Sequence, residues 1–200
     1  MNTRDINNFF GDMDLFLMDV ILKGHVKEGT KVLDVGCGEG RNGVYFLRNR
    51  FEYHGWDTDE SKIKLLSYLA HSLETSNSHF RIGDFRTVES TQKFNFIICS
   101  RVLHFAESSE IFLSMWLKLK SLLVDGGIIY ASLDSVVDNM IGNNEGEGMF
   151  SFPDSKLRFA LTTELYNEMK KGFEEIEPLR TLVHHKERAQ SFVVLKKLPS

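Results

Sequence analysis

The chain has 200 residues, 42% of them hydrophobic and 26% charged, with a formal net charge of −4. These values fit a single soluble globular domain with a core of useful size, and they argue against a nucleic-acid partner, which needs a concentrated basic face. Cys37 and Cys99 lie far apart and outside any CxxC pair, so neither a disulfide framework nor a metal site is expected, and a reducing cytoplasm fits.

Residues 1–28 predict an N-terminal helical cap. Residues 15–22 (LFLMDVIL) are apolar, but Asp12, Asp14 and Asp19 interrupt their surroundings and no basic leader or small-residue cleavage site accompanies them. No run reaches the roughly 18 apolar residues of a membrane span, so no membrane partner is expected. Leu15 and Leu22 are expected in the core, and Phe9 and Phe10 over the functional site. Residues 31–35 (KVLDV) form a compact apolar strand that ends in glycines. A helix over 41–50, a strand over 53–57, a helix over 61–73 and a strand over 80–82 follow from the periodicity. Residues 94–100 (FNFIICS) read as a strand buried on both faces, and 109–123 as a helix. Asp125-Gly126-Gly127 predicts a turn before a fifth strand over 128–133.

This alternation predicts an α/β fold: a Rossmann-like, seven-stranded, mostly parallel sheet with helices on both faces and right-handed crossovers. The pattern breaks over 134–160, a glycine-containing, acidic connection of the length expected for a lid, in which Met149, Phe150 and Phe152 are expected to wall an acceptor pocket. Thr162 predicts a helix N-cap, with Glu164 in the first turn. Two closing strands, over 173–179 and 191–195, supply an antiparallel edge. The whole chain reads as one domain.

The sharpest signal is Asp34-Val-Gly36-Cys37-Gly38-Glu-Gly40, placed between a strand and a helix. Glycines allow a tight bend and close approach to a ligand, and the following helix start offers free N–H groups. The spacing is G-x-G-x-G, with Arg41 where a dinucleotide fold needs its third glycine, and no P-loop pattern is present. Asp57 ends the second strand, where a carboxylate can accept from two ribose hydroxyls. Asp84 ends the third, where it can accept from an adenine amino group while Phe85 packs on the ring. Ligands of open α/β sheets bind at this carboxyl edge.

Taken together, residues 34–42, Gly55-Trp56-Asp57, Gly83-Asp84, residues 94–104 and Leu122-Leu-Val-Asp-Gly126-Gly127 resemble the successive motifs of class I S-adenosylmethionine (SAM)-dependent methyltransferases. The resemblance covers most of residues 30–133. It implies SAM as cofactor, with Gly36, Gly38 and Gly40 along its methionine and ribose portion, Asp57 on the ribose, Asp84 and Phe85 at the adenine, Ser100 beside the methionine moiety and Arg41 at its carboxylate. Asp34, Cys37 and Thr58 belong to the same cofactor-binding set. Gly40-Arg41-Asn42, Trp56-Asp57 and the chain length are similar to the small single-domain group that includes tellurite-resistance methyltransferases. Arg180 stands where that group carries an arginine proposed to act near the substrate. The histidine that group shows just before it is Leu179 here, which argues against the same substrate.

Methyl transfer from a sulfonium is an in-line displacement that needs chiefly orientation, with a general base only as the acceptor demands. His104, after the fourth strand, is the base candidate, set against a role in capping the loop. His184 and His185 read as a hairpin tip, and His25, His54, His71 and His79 as surface or strand-edge residues. With Ser100-Arg101-Val102 in place of the Asn/Asp-Pro-Pro-aromatic motif of many nucleic-acid methylases, the expected acceptor is a small molecule. The alternatives are a non-catalytic SAM-binding or interaction module and, third, a nicotinamide-dependent reductase.

Overall fold

The computed structural model describes residues 9–76, 78–137, 141–185 and 187–199. The first eight residues of the expected cap and residues 138–140 of the expected lid lie outside this set. The chain divides into two compact units, residues 1–98 and 99–200. One seven-stranded sheet takes its strands in the order Ser78–Ile82, Glu52–Asp57, Lys31–Val35, Phe94–Ser100, Leu123–Ser135, Arg188–Lys197, Phe173–His184.

The first unit contains α1 (Leu15–Leu22), β1 (Lys31–Val35), α2 (Gly43–Arg48), β2 (Glu52–Asp57), α3 (Glu60–Ser72) and β3 (Ser78–Ile82), and it ends within β4 (Phe94–Ser100). β1 pairs in parallel with β2 and with β4, and β2 with β3. Val32, Leu33 and Val35 are at most 1% exposed, as expected for a strand with neighbours on both sides and cover on both faces. α3 starts at Asp59, whose side chain accepts from the Ser61 and Lys62 N–H groups, and it buries Ile63, Leu66 and Ala70 on one stripe.

α1 corrects the expected cap. Its buried residues are Leu17, Val20 and Ile21, while Leu15 and Leu22 are 65% and 68% exposed. The helical period places 17, 20 and 21 on one face and turns 15 and 22 away from it. Phe9 and Phe10 lie against Tyr45 of α2, Phe10 stacked at 5.5 Å between ring centroids.

The second unit holds a 3-10 turn (Leu103–Phe105), α4 (Ser109–Leu122), β5 (Leu123–Ser135), β6 (Asn143–Gly146), β7 (Met149–Ser151), β8 (Leu157–Phe159), α5 (Thr163–Met169), β9 (Phe173–His184) and β10 (Arg188–Lys197). β10 runs antiparallel to both β5 and β9. Strand β5 runs straight through the expected turn at 125–127, with Gly126 at φ +77°. The closing strands are longer than their apolar cores suggested, because a hairpin extends its ladder through polar residues up to the tip at His185. Thr162 caps α5, its side chain accepting from the Leu165 N–H.

The expected lid has structure of its own. β6, β7 and β8 form a three-stranded antiparallel sheet. Phe150 and Phe152 pack with Val136 and Ala160 in a small core, each at most 7% exposed. The two phenylalanines expected to wall an acceptor pocket are therefore the insertion's own filling. Arg158 secures its base, donating to Asp154 at 3.0 Å and lying 3.4 Å from the buried Asp134.

Candidate cofactor site

In the first unit the glycine segment turns sharply out of β1. The Gly36 and Cys37 N–H groups both donate to the Trp56 carbonyl, at 2.7 and 3.2 Å. This draws the bend onto the end of β2. Gly40 sits at φ +91°, and a Cβ there would lie 2.5 Å from Leu66 Cδ1. Close packing of helix on strand, which a dinucleotide fold assigns to its third glycine, falls here to Gly43, where a Cβ would lie 2.6 Å from the Tyr53 hydroxyl.

Asp57 joins the bend to the next helix. Its Oδ2 accepts from the Gly38 N–H at 2.8 Å and its Oδ1 from the Asp59 N–H at 2.9 Å. An ionised carboxylate offers about four lone-pair positions, so each oxygen keeps capacity for one more donor. Two vicinal hydroxyls, as on a ribose, match that remaining capacity.

Asp34 lies beneath the bend, 2% exposed, and accepts from the Tyr53 hydroxyl at 2.9 Å. Burial pushes its carboxyl up to about 7; the Tyr53 hydrogen bond opposes this and the Asp57 charge reinforces it. Its side chain ties β1 to β2 through Tyr53. Cys37 is buried, and burial together with Asp34 and Asp57 pushes its thiol well above the ordinary range. Thr58 is exposed. Arg41 is engaged with the N-terminal segment, Nε donating to the Asp12 carbonyl at 2.7 Å.

At the end of β3 the arrangement differs from the expectation. The Asp84 carboxylate accepts from the Arg86 backbone N–H at 2.9 Å and from its guanidinium Nε at 2.8 Å. The Arg86 side chain, followed by its backbone N–H and its charge, holds the Asp84 carboxyl below the usual range. Phe85 is only 5% exposed. An adenine amino group would have to share Asp84 with Arg86.

In the second unit, Ser100 exchanges a hydrogen bond with Ser132 at 3.0 Å, and the Arg101 N–H donates to the Ser132 carbonyl at 2.7 Å. Arg101 adopts φ +59°, a backbone conformation that side chains rarely take. His104 lies in the 3-10 turn, its ring 4.4 Å from that of Phe105, and its buried Nδ1 has no hydrogen-bond partner among the described residues. Burial lowers its affinity for a proton; Asp134 opposes this, while Arg101, Arg158 and Arg188 reinforce it. Arg180 lies on β9 and pairs with Glu177 at 3.1 Å.

Three supporting roles depend on the folded chain and not on the motifs. Tyr53 looked like a strand filler, and only the β1–β2 register puts it beside Asp34. Buried Asn42 accepts from the Asp14 N–H at 3.0 Å, fastening residues 12–14 beside the bend. Arg86 became visible as the partner of Asp84 only with the turn after β3 in place.

A methyltransferase-domain family profile matches residues 26–192. The probable S-adenosyl-L-methionine-dependent methyltransferase TehB of Haemophilus influenzae is 27% identical over 93 residues, 46% of this chain and 32% of its own. Its crystal structure superposes with a TM-score of 0.71 at 20% identity, covering 90% of this chain and 62% of that one. The ribosomal RNA small subunit methyltransferase G of Bacteroides thetaiotaomicron is 26% identical over 113 residues, 56% of this chain and 54% of its own. A Burkholderia thailandensis 1,6-didemethyltoxoflavin-N1-methyltransferase, crystallised with its substrate and S-adenosylhomocysteine, has a TM-score of 0.69 at 18% identity and covers 98% of this chain and 82% of that one. The matched stretch spans about a third of TehB and about half of the ribosomal RNA enzyme.

Proposed function

Because the chain belongs to the methyltransferase-domain family, whose cofactor is SAM, we propose that it acts as a single domain transferring the methyl group of SAM to a small-molecule acceptor. The setting is a reducing cytoplasm. Bound SAM supplies an electrophilic methyl on a positively charged sulfur. The chain's own task is then to hold and orient.

The observation that carries this reading is the double engagement of Asp57. Its two oxygens are fixed by the Gly38 and Asp59 N–H groups, so the carboxylate has one orientation before any ligand arrives. Preorganised acceptors lose little on binding. Gly36 and Gly38 expose backbone beside it, and Asp34 ties β1 to β2 through Tyr53.

His104 is the group suited to take a proton from the acceptor. Burial keeps it neutral near pH 7, so a nitrogen lone pair is available. Arg180 is the candidate to hold an acceptor's negative charge, by exchanging Glu177 for it. The Haemophilus influenzae relative and the Burkholderia thailandensis enzyme support methyl transfer, the latter with a small-molecule substrate. The net charge of −4 disfavours a polyanionic acceptor.

Calorimetric titration with SAM tests the cofactor site. Micromolar binding is expected, and Asp57→Ala should weaken it about tenfold or more, the loss of charge-assisted hydrogen bonds. Equal affinity in the variant refutes the assignment. Transfer of labelled methyl from SAM to a panel of small acceptors, with ribosomal RNA as a parallel arm, tests the substrate class. Labelling of the RNA alone would overturn the small-molecule reading. Binding with no transfer to any acceptor would favour a non-catalytic module.

A further inference from the structure

In the first unit, a second cluster of polar side chains lies away from the glycine bend. The parallel register of β2 and β3 places His54 directly beside His79, and Glu52 precedes His54 by two residues, on the same face of the strand. The two imidazoles stack at 4.6 Å between ring centroids. Glu52 Oε1 lies 3.1 Å from His54 Nε2 and 2.7 Å from Lys31 Nζ. One ligand atom from each of Glu52, His54 and His79 falls within 4.8 Å of the other two.

We propose that Glu52, His54 and His79 form a binding site for a divalent transition-metal ion of the zinc class. Imidazole and carboxylate together suit zinc, copper, nickel or cobalt better than magnesium or calcium. Such ions hold nitrogen and oxygen at about 2.0–2.2 Å, which brings ligand atoms to within roughly 3–4 Å of one another. The present spacing closes to that range by turning His79, which is exposed, while His54 stays fixed, 5% exposed and edge-on to Phe94 at 5.1 Å. Lys31 is the built-in competitor: its ammonium already neutralises Glu52 and must give way to the ion.

The remaining coordination positions face open space. A groove of about 590 Å³ runs past His54 and His79 and is lined further by Trp56, Arg81, Ser90 and Gln92. Water or a small anion can enter there to complete the shell. The cluster lies about 10 Å down β2 from Asp57, three residues at roughly 3.3 Å each, so it stands apart from the cofactor rim. β3 is the outermost strand of the sheet, and an ion shared by His54 and His79 would fasten that edge strand to its neighbour.

The test uses the whole chain, stripped with a chelator and titrated with Zn²⁺, with Co²⁺ absorption as a readout of the ligand set. One equivalent should bind, with a rise in thermal midpoint. His79→Ala, at an exposed position that should leave folding intact, should weaken binding about tenfold or more, and Glu52→Gln should do likewise. Replacing both hairpin histidines, His184→Ala and His185→Ala, should change nothing. SAM affinity should be the same in all variants, which separates this outcome from the cofactor assignment. No saturable binding below about 1 mM, unchanged binding in His79→Ala, or loss of binding in the hairpin variant would each overturn the proposal.

Discussion

The glycine bend of the first unit and the three-stranded insertion of the second both hold irregular backbone in place, but with different forces. The bend depends on directed bonds: Gly36 and Cys37 to the Trp56 carbonyl, Gly38 to Asp57, Tyr53 to Asp34. The insertion depends on apolar volume, Phe150 and Phe152 against Val136 and Ala160, with one ionic anchor at Arg158. Hydrogen bonds fix atoms to a few tenths of an ångström, whereas apolar burial is satisfied by any well-filled shape. A bound adenosyl group needs the first kind of support.

Substitutions can break this contrast from either side. The largest effect is expected at the bend. Gly40→Val places a branched side chain at φ +91° against Leu66 and should cost about 4 kcal/mol from backbone strain plus overpacking. Urea denaturation should show that loss, and SAM titration of the remaining folded protein should show binding abolished. Retained SAM affinity would mean that the bend is not rigidly required. Phe152→Ala empties the insertion's core instead. It should cost about 3 kcal/mol, read as loss of hydrogen-exchange protection over residues 143–159, while SAM affinity stays within about twofold. A parallel fall in SAM affinity would show that the two regions are coupled.

The smallest effect sharpens the contrast within the bend. The Asp34 carboxyl binds its proton more tightly in the folded chain, up to about 7, than its ordinary 3.8. The stability it contributes is therefore full below about pH 4 and is lost as the pH rises through about 7. Asp34→Asn keeps an oxygen for the Tyr53 hydroxyl and carries no charge. Parent and variant should melt at nearly the same temperature at pH 4, and by pH 8 the variant should melt a few degrees higher. Parallel melting profiles across that range would show that Asp34 is ionised without cost in the folded state.

The meeting of the glycine bend with Asp57 was legible in the sequence because its parts are local. A G-x-G-x-G bend follows its own strand, and Asp57 ends the next, so spacing alone brings them to one edge. What stayed hidden depends on register or on turns. Tyr53 meets Asp34, and His54 meets His79, only once parallel strands are aligned. Arg86 reaches Asp84 only because the chain turns back after β3. Asp125-Gly126-Gly127 carries strong turn chemistry, yet the chain runs through it as strand, a tertiary override of local preference. Residues 134–160 lack a clear period because strands of three and four residues are too short to display one. Leu15 and Leu22 were misplaced because an almost wholly apolar helix gives little sign of which face turns inward.

Cys37 turns the bend into its own gauge. The thiol sits inside the turn, 5% exposed and strongly disfavoured as thiolate, and it is the thiolate that attacks alkylating reagents. As long as the turn stays shut the sulfur is chemically silent. Each transient opening uncovers it, so the rate at which a haloacetamide labels Cys37 counts those openings directly. A ligand that grips the turn would slow that clock, and the slowing would record occupancy without any need for a known acceptor.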